Sequence, residues 1–160
     1  MQLVRHLSIS MTRDSTHHDS LGLLLRLVHQ QWTLAVDTKL AEEGFDDIKP
    51  HYANIFTFVP PEGMQVSQLT ERAHVRKQSM TQTVEELERL GYVERRPDPN
   101  DKRGKLVFLT ERGKKVSPIA RAAGRLVDQH WAELTSPEEI EALQSALRSV
   151  LAATAKRDEA

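Results

Sequence analysis

The 160-residue chain contains no cysteine, which excludes disulfide bonds, thiol nucleophiles and cysteine-based redox sensing. It also has no apolar run approaching the roughly 18–20 residues that cross a bilayer. Its first twenty residues lack the continuous apolar stretch and the small-residue cleavage site of a signal peptide. We therefore expect a cytoplasmic protein without a membrane partner.

Enzyme and metal signatures are missing as well. The sequence has no G-x-S-x-G motif, no Walker loop and no G-x-G-x-x-G fingerprint, so we expect neither catalysis nor a cofactor. Among its seven histidines, His17 and His18 are adjacent, and His29, His51 and His130 fall on three separate predicted helices. No H-E-x-x-H or comparable zinc spacing joins them. A metal-responsive protein stays open as an alternative, although we expect no metal.

Charge is distributed unevenly although the net charge is only −1. Residues 72–115 carry twelve Lys or Arg against seven Asp or Glu. Residues 19–62 and 128–160 each carry three against seven. A basic centre between acidic flanks favours a polyanionic partner for the central segment.

Apolar periodicity predicts a mainly helical chain. Residues 1–18 show no periodicity and are predicted to form a flexible tail. Pro118 is expected to delay or kink the start of the helix that contains it. Helices are predicted from Leu21 to about Gly44, from Pro50 to Val59, over 66–73, from Lys77 to Leu90, from Thr110 towards Leu134, and from Pro137 to Leu151.

A β-hairpin is predicted after the fourth of these helices. The runs "YVERR" (92–96) and "KLVFLT" (105–110) are β-prone, and "PDPNDKRG" (97–104) between them predicts a long polar tip. A tight connection at 74–76 joins the two preceding helices. Two helices in this order followed by a hairpin make a winged helix-turn-helix, so the predicted fold is mainly α with a small β-hairpin wing.

The second helix of the pair has a polar face suited to reading DNA. With Met80 at the buried centre and about 100° per residue, Val84 and Leu87 lie on the inner face. Glutamine can pair bidentately with adenine in the major groove. Glu85 and Glu86 follow further along, so only the N-terminal half is expected to enter the groove. The candidate DNA-facing residues are Lys77, Gln78, Ser79 and Gln82, with Thr81 on the flank.

The hairpin supplies cations for the same partner. Arg95 and Arg96 lie where the strand leaves the domain, within reach of phosphates. Lys102 and Arg103 lie at the tip, suited to a neighbouring minor groove, and Asp101 is placed to orient the Arg103 guanidinium. The alternative is a plain polar turn with a weak surface ion pair.

Residues 66–116 resemble the winged-helix core of the MarR family of bacterial transcription regulators. The most specific parts are "LERLGYVERRPDPNDKR" (87–103) and "LVFLTERGKKV" (106–116). The resemblance implies a homodimeric, sequence-specific regulator, more often a repressor, bound to a palindromic operator. It implies dimerisation helices at 19–47 and 111–160 around a DNA-binding lobe at 48–110. A protein-interaction module without specific DNA binding is the alternative.

Four positions depart from the family pattern, of which Thr70 in place of a small alanine is a minor packing change. Gln82 stands where the family often has arginine, Arg76 where a small polar N-cap is usual, and His74 where glycine is common. Arg76 is a candidate phosphate contact in place of the missing cap.

The resemblance also implies a small aromatic or anionic effector that releases DNA. The candidate lining residues bring aromatic and polar groups onto the first two helices; the alternative for Trp32, Tyr52 and Phe56 is an ordinary place in the core. The candidates are His29, Trp32, His51, Tyr52 and Phe56.

Overall fold

The computed structural model describes residues 20–158, so the predicted tail at 1–18, with His17 and His18, lies outside the described residues. The fold is mainly α with one small sheet, as predicted, and no described helix is long and apolar enough to cross a membrane. The chain divides after Arg121 into two compact units. The elements are α1 (Leu21–Glu42), a 3₁₀ turn (Pro50–Tyr52), α2 (Ala53–Phe58), β1 (Met64–Gln65), α3 (Val66–Ala73), α4 (Lys77–Arg89), β2 (Val93–Asp98), β3 (Asp101–Leu109), α5 (Glu111–Leu134) and α6 (Pro137–Asp158).

Side-chain caps explain where several helices begin. The Ser20 Oγ accepts a hydrogen bond from the Leu23 N–H at 3.3 Å at the start of α1. Thr110 caps α5 as predicted, since its Oγ1 accepts from the Gly113 N–H at 3.1 Å. Ser136 caps α6 in the same way, accepting from the Glu139 N–H at 3.2 Å. The prediction that Pro118 delays α5 is wrong, because the helix already begins at Glu111 and continues through the proline.

Burial along α1 changes from one end to the other. Ala35, Val36 and Leu40 are buried, whereas four apolar residues nearer the N-terminus are exposed. Apolar surface is costly to leave in water, and the described residues of one chain do not bury this face of the N-terminal half of α1. The exposed residues of that half are Leu21, Leu24, Leu25 and Val28.

The sheet is antiparallel with strand order β1-β3-β2. The long tip predicted for the hairpin is wrong, because β3 begins at Asp101 and the turn is only Pro99–Asn100. An Asx turn closes it: the Asp98 Oδ1 accepts from the Asn100 N–H at 2.9 Å. Strand β1 was not predicted, since two residues are too few to show a period.

The core of the first unit lies between α2, α3, α4 and the inner face of the sheet. Met80, Val84 and Leu87 are buried, as the helical period predicted for the inner face of α4. Thr83 is buried in addition, and Leu90, the C-cap of α4, is half-buried. The largest fully buried side chains are Tyr52, Tyr92, Ile55, Leu69, Leu87, Val84, Val107 and Val116.

Candidate nucleic-acid interface

The outer face of α4 is polar and open to solvent. Lys77, Gln78, Ser79 and Gln82 are all exposed, where the sequence placed them. Thr81 is half-buried, and its hydroxyl donates to the Lys77 carbonyl at 2.9 Å. The Thr81 proton is therefore used within the helix, while the side-chain amides of Gln78 and Gln82 make no hydrogen bond among the described residues.

The turn before α4 concentrates positive charge. Arg76 occupies the N-cap with an extended backbone (φ −68°, ψ 140°), and its side chain makes no capping hydrogen bond. His74 ends α3 in the left-handed region, with φ +50°. Arg72 and Arg76 are both exposed. Sequence reasoning missed Arg72, although a cation in the last turn before this connection is a usable signal.

Two of the wing arginines already have acidic partners. Arg95 donates to Oε2 of Glu88 from Nε at 2.9 Å and from Nη2 at 2.5 Å, and only 28% of its side chain is exposed. This bond holds the pKa of Glu88 below its usual value. Arg96 pairs with Glu94, and its guanidinium lies 4.7 Å from the centre of the Phe108 ring. Each arginine therefore has an acidic partner within the chain, and the phosphate contacts expected of Arg95 and Arg96 stay predictions.

The tip of the wing is organised by two aspartates. Asp101 accepts from the backbone N–H of Arg103 at 2.9 Å, and no ion pair joins their side chains within the described part of the chain. The prediction that Asp101 aims the guanidinium directly is thus corrected: it fixes the backbone instead. Arg103 is exposed, and the side chain of Lys102 lies outside the described part.

Asp98 anchors the wing to α3. Its Oδ2 accepts from Nε2 of Gln65 at 2.6 Å, which joins the end of β2 to the residue just before α3. This bond, with the one from the Asn100 N–H, lowers the pKa of Asp98. Sequence reasoning missed both Gln65 and Asp98, which are 33 positions apart.

The root of the wing is tied to two other segments through Tyr92. Its hydroxyl donates to the Asp47 carboxylate and accepts from Nη2 of Arg112 at 2.8 Å. The Arg112 guanidinium lies 4.4 Å from the centre of the Tyr92 ring. Burial, followed by the bond to Asp47, raises the pKa of Tyr92 to about 12. The loop after α1, the start of β2 and the start of α5 therefore meet at one side chain.

A cavity of about 480 Å³ lies between α1, the start of α2 and the first part of α5. Of the five predicted ligand residues, His29, Trp32 and Phe56 line it. Tyr52 does not, because it is buried in the core and its hydroxyl donates to Glu86 at 2.6 Å. His51 instead lines a separate cavity of about 310 Å³ against α4.

The larger cavity combines aromatic and charged groups. The rings of His29 and Trp32 stack with their centres 6.4 Å apart and an interplanar angle of 13°. Lys49 and Arg121 supply cations to the lining, and burial raises the pKa of the lining residue Asp37. No group of three or more histidines or acids that could hold a metal ion occurs among residues 20–158.

A sequence profile of the MarR family matches residues 47–104, from the loop before α2 into β3. The transcriptional regulator HosA of Escherichia coli O111:H- is 31% identical over 127 residues, which cover 79% of this chain and 91% of HosA. The chain belongs to the MarR family. It is a DNA-binding transcriptional regulator and not an enzyme.

Solved structures share the fold of this MarR-family chain. Wild-type apo MarR from E. coli has a TM-score of 0.68 and 26% identity, covering 83% of this chain and 98% of that one. The MepR–DNA complex of S. aureus has a TM-score of 0.66 and 20% identity, covering 84% and 98%. At 20% identity, the likeness to the MepR–DNA complex shows a shared fold and nothing more.

Proposed function

We propose that this MarR-family regulator is a homodimeric, sequence-specific repressor that acts on a palindromic operator in the cytoplasm. The N-terminal half of α4 enters the major groove, and the wing tip reaches the neighbouring minor groove. The observation that carries this proposal is the exposed row of Lys77, Gln78, Ser79 and Gln82 on α4, together with the exposed Arg103 in the wing. Those amides can read base edges, and the cations meet phosphates.

Arg72 and Arg76 extend the proposed contact to the backbone at the turn. The uncapped first turn of α4 leaves N–H groups that a phosphate oxygen can accept from, beside these two exposed cations. The proposal does not rest on phosphate contacts by Arg95 and Arg96, since Glu88 and Glu94 already pair with their guanidinium groups.

The dimer is supported by apolar surface that one chain leaves uncovered. In the first unit this surface is the N-terminal half of α1 described above. The second unit, from Ala122 onward, also exposes large apolar side chains at helical spacing. A symmetric interface would bury both sets. The exposed residues of the second unit are Leu126, Leu134, Leu143, Val150 and Leu151.

The effector is proposed to be a small aromatic anion bound in the larger cavity. Trp32 and Phe56 offer an apolar wall, while Lys49 and Arg121 can balance a carboxylate. Trp131 is the only other tryptophan, so a Trp131→Phe variant leaves Trp32 as the sole indole reporter. Titration with a panel of aromatic carboxylates should change its fluorescence and release DNA over the same concentration range. Fluorescence and DNA binding both unchanged across the panel would refute the effector.

Selection of bound fragments from the host genome, followed by salt titration of one selected duplex, tests the DNA contacts. Arg103→Ala should weaken binding and flatten the dependence of log K on log salt by about 0.9 for each phosphate that the protein no longer neutralises. Arg148→Ala, an exposed cation on α6, is the control and should leave the slope unchanged. An Arg103→Ala protein with wild-type affinity and slope would contradict the wing assignment and favour the protein-interaction alternative.

A further inference from the structure

We propose that Glu88, an acidic residue of α4, is a positioning residue for DNA binding that fixes the angle of the wing by clamping Arg95. The inference rests on the proposed function, since a fixed angle matters when helix and wing enter adjacent grooves together. It assigns a supporting role to a carboxylate within a lobe whose partner is a polyanion.

The clamp joins the second half of α4 to the middle of β2. At about 100° per residue, Glu88 lies within roughly 20° of Thr81 around the helix, on the side that faces the hairpin. One oxygen of its carboxylate accepts from two nitrogens of Arg95, at 2.5 and 2.9 Å, which fixes the direction of the guanidinium. Among the side chains that the structure describes, which do not include Lys102, no other ion pair joins α4 to the hairpin.

Other contacts hold the hairpin at its root, at its opposite edge and at the end of β2. Tyr92 and Val93 are buried directly after the turn that ends α4. On the far side, β3 pairs with β1, and Gln65 holds Asp98. Glu88 therefore adds a restraint in the middle of β2, between the buried Val93 and the anchored Asp98.

Simple electrostatics predicts the opposite effect for an acid at this place. Carboxylates near DNA repel phosphate, so removing one should strengthen binding. Glu85 is a matched acid on the same helix, exposed and without an ion pair in the described structure. Glu88 is half-buried and holds Arg95, whereas Glu85 is exposed and holds no cation among the described residues, so the two should respond with opposite sign if the clamp positions the wing.

The test compares Glu88→Gln with Glu85→Gln in the full chain, on a duplex selected from the genome by the wild type. We expect Glu88→Gln to weaken binding about fivefold, as loss of a half-exposed charge pair allows, and Glu85→Gln to bind as well as the wild type or better. Without DNA, amide exchange over residues 93–109 should accelerate only in Glu88→Gln. The charge swap Glu88→Arg with Arg95→Glu rebuilds the pair and should restore slow exchange and most of the affinity.

Two results would overturn the inference. Glu88→Gln binding as tightly as Glu85→Gln, with unchanged exchange, would mean that Glu88 is only a repelling charge. A swap that restores slow exchange but not affinity would mean that Arg95 itself contacts phosphate. Failure of the proposed function would show differently, as no duplex selected by the wild type.

Discussion

Replacing Gly63 by alanine tests the packing beneath the wing. Gly63 lies in the turn between α2 and β1 with φ +80°, where its N–H donates to the Pro60 carbonyl at 3.0 Å. A Cβ at this position would lie 2.6 Å from Cζ and 2.8 Å from Cε1 and Cε2 of Phe108 in β3. The Arg96 guanidinium lies over the ring of Phe108, so a displacement of the ring would disturb this contact within the wing.

The expected loss of stability in Gly63→Ala has two parts, and the same substitution at Gly44 separates them. Gly44 has nearly the same conformation, φ +82°, but no atom lies within 4 Å of its Cβ position. Alanine in this region costs about 1–2 kcal/mol of backbone strain, offset by about 0.4–1 kcal/mol from the stiffer unfolded chain. Overpacking against Phe108 adds about 1–3 kcal/mol at Gly63 only. We expect losses of about 1 kcal/mol for Gly44→Ala and about 2–4 kcal/mol for Gly63→Ala.

The assay is urea unfolding at one fixed protein concentration, because the proposed dimer would make stability depend on concentration. Adding Phe108→Leu to each glycine variant completes a double-mutant cycle. The smaller side chain should recover part of the loss in Gly63→Ala and none of the loss in Gly44→Ala. Equal losses in the two single variants would refute the reasoning, since they would show that the ring gives way freely.

Three further predictions concern single side chains. His74→Gly should raise the free energy of unfolding by about 0.5–1 kcal/mol in the same assay, because it relieves the strain of φ +50°; a loss would contradict this. Between pH 10 and about 12 the unfolded chain loses the Tyr92 proton while the folded chain keeps it, so stability should fall as pH rises. Tyr92→Phe should flatten that fall, leaving the part due to Tyr52, and an unchanged slope would rule out the assignment. In binding to a set of operator variants, Gln82→Ala should alter the preferred base, whereas Lys77→Ala should weaken binding to all sequences alike. The reverse pattern would assign base reading to Lys77 and the phosphate contact to Gln82.

The helices and the outer face of α4 were predictable because each carries its signal within a few turns of sequence. A buried stripe at Met80, Val84 and Leu87 fixes which side of the helix faces the core, and hence which residues remain outside. The N-caps Thr110 and Ser136 were predictable too, because each bonds a residue only three positions further along the chain.

Contacts between distant segments were not predictable in this way. The bond from Gln65 to Asp98 depends on how β1 meets the hairpin, and β1 itself is too short to detect. The pairing of Arg95 with Glu88 was missed because a basic residue in a wing suggests phosphate first. Tyrosine occurs both in protein cores and in ligand pockets, and only the folded structure shows that Tyr52 lies in the core.

Position 76 has a consequence for engineering this regulator. Arg76 stands at the N-cap of α4 without a capping bond, whereas serine or aspartate there would stabilise the helix by about 1 kcal/mol. On the proposed function, the same exchange removes a cation and closes the helix end that faces phosphate. Selection for thermal tolerance alone would therefore favour serine at this position and produce a sturdier protein with a weaker hold on its operator.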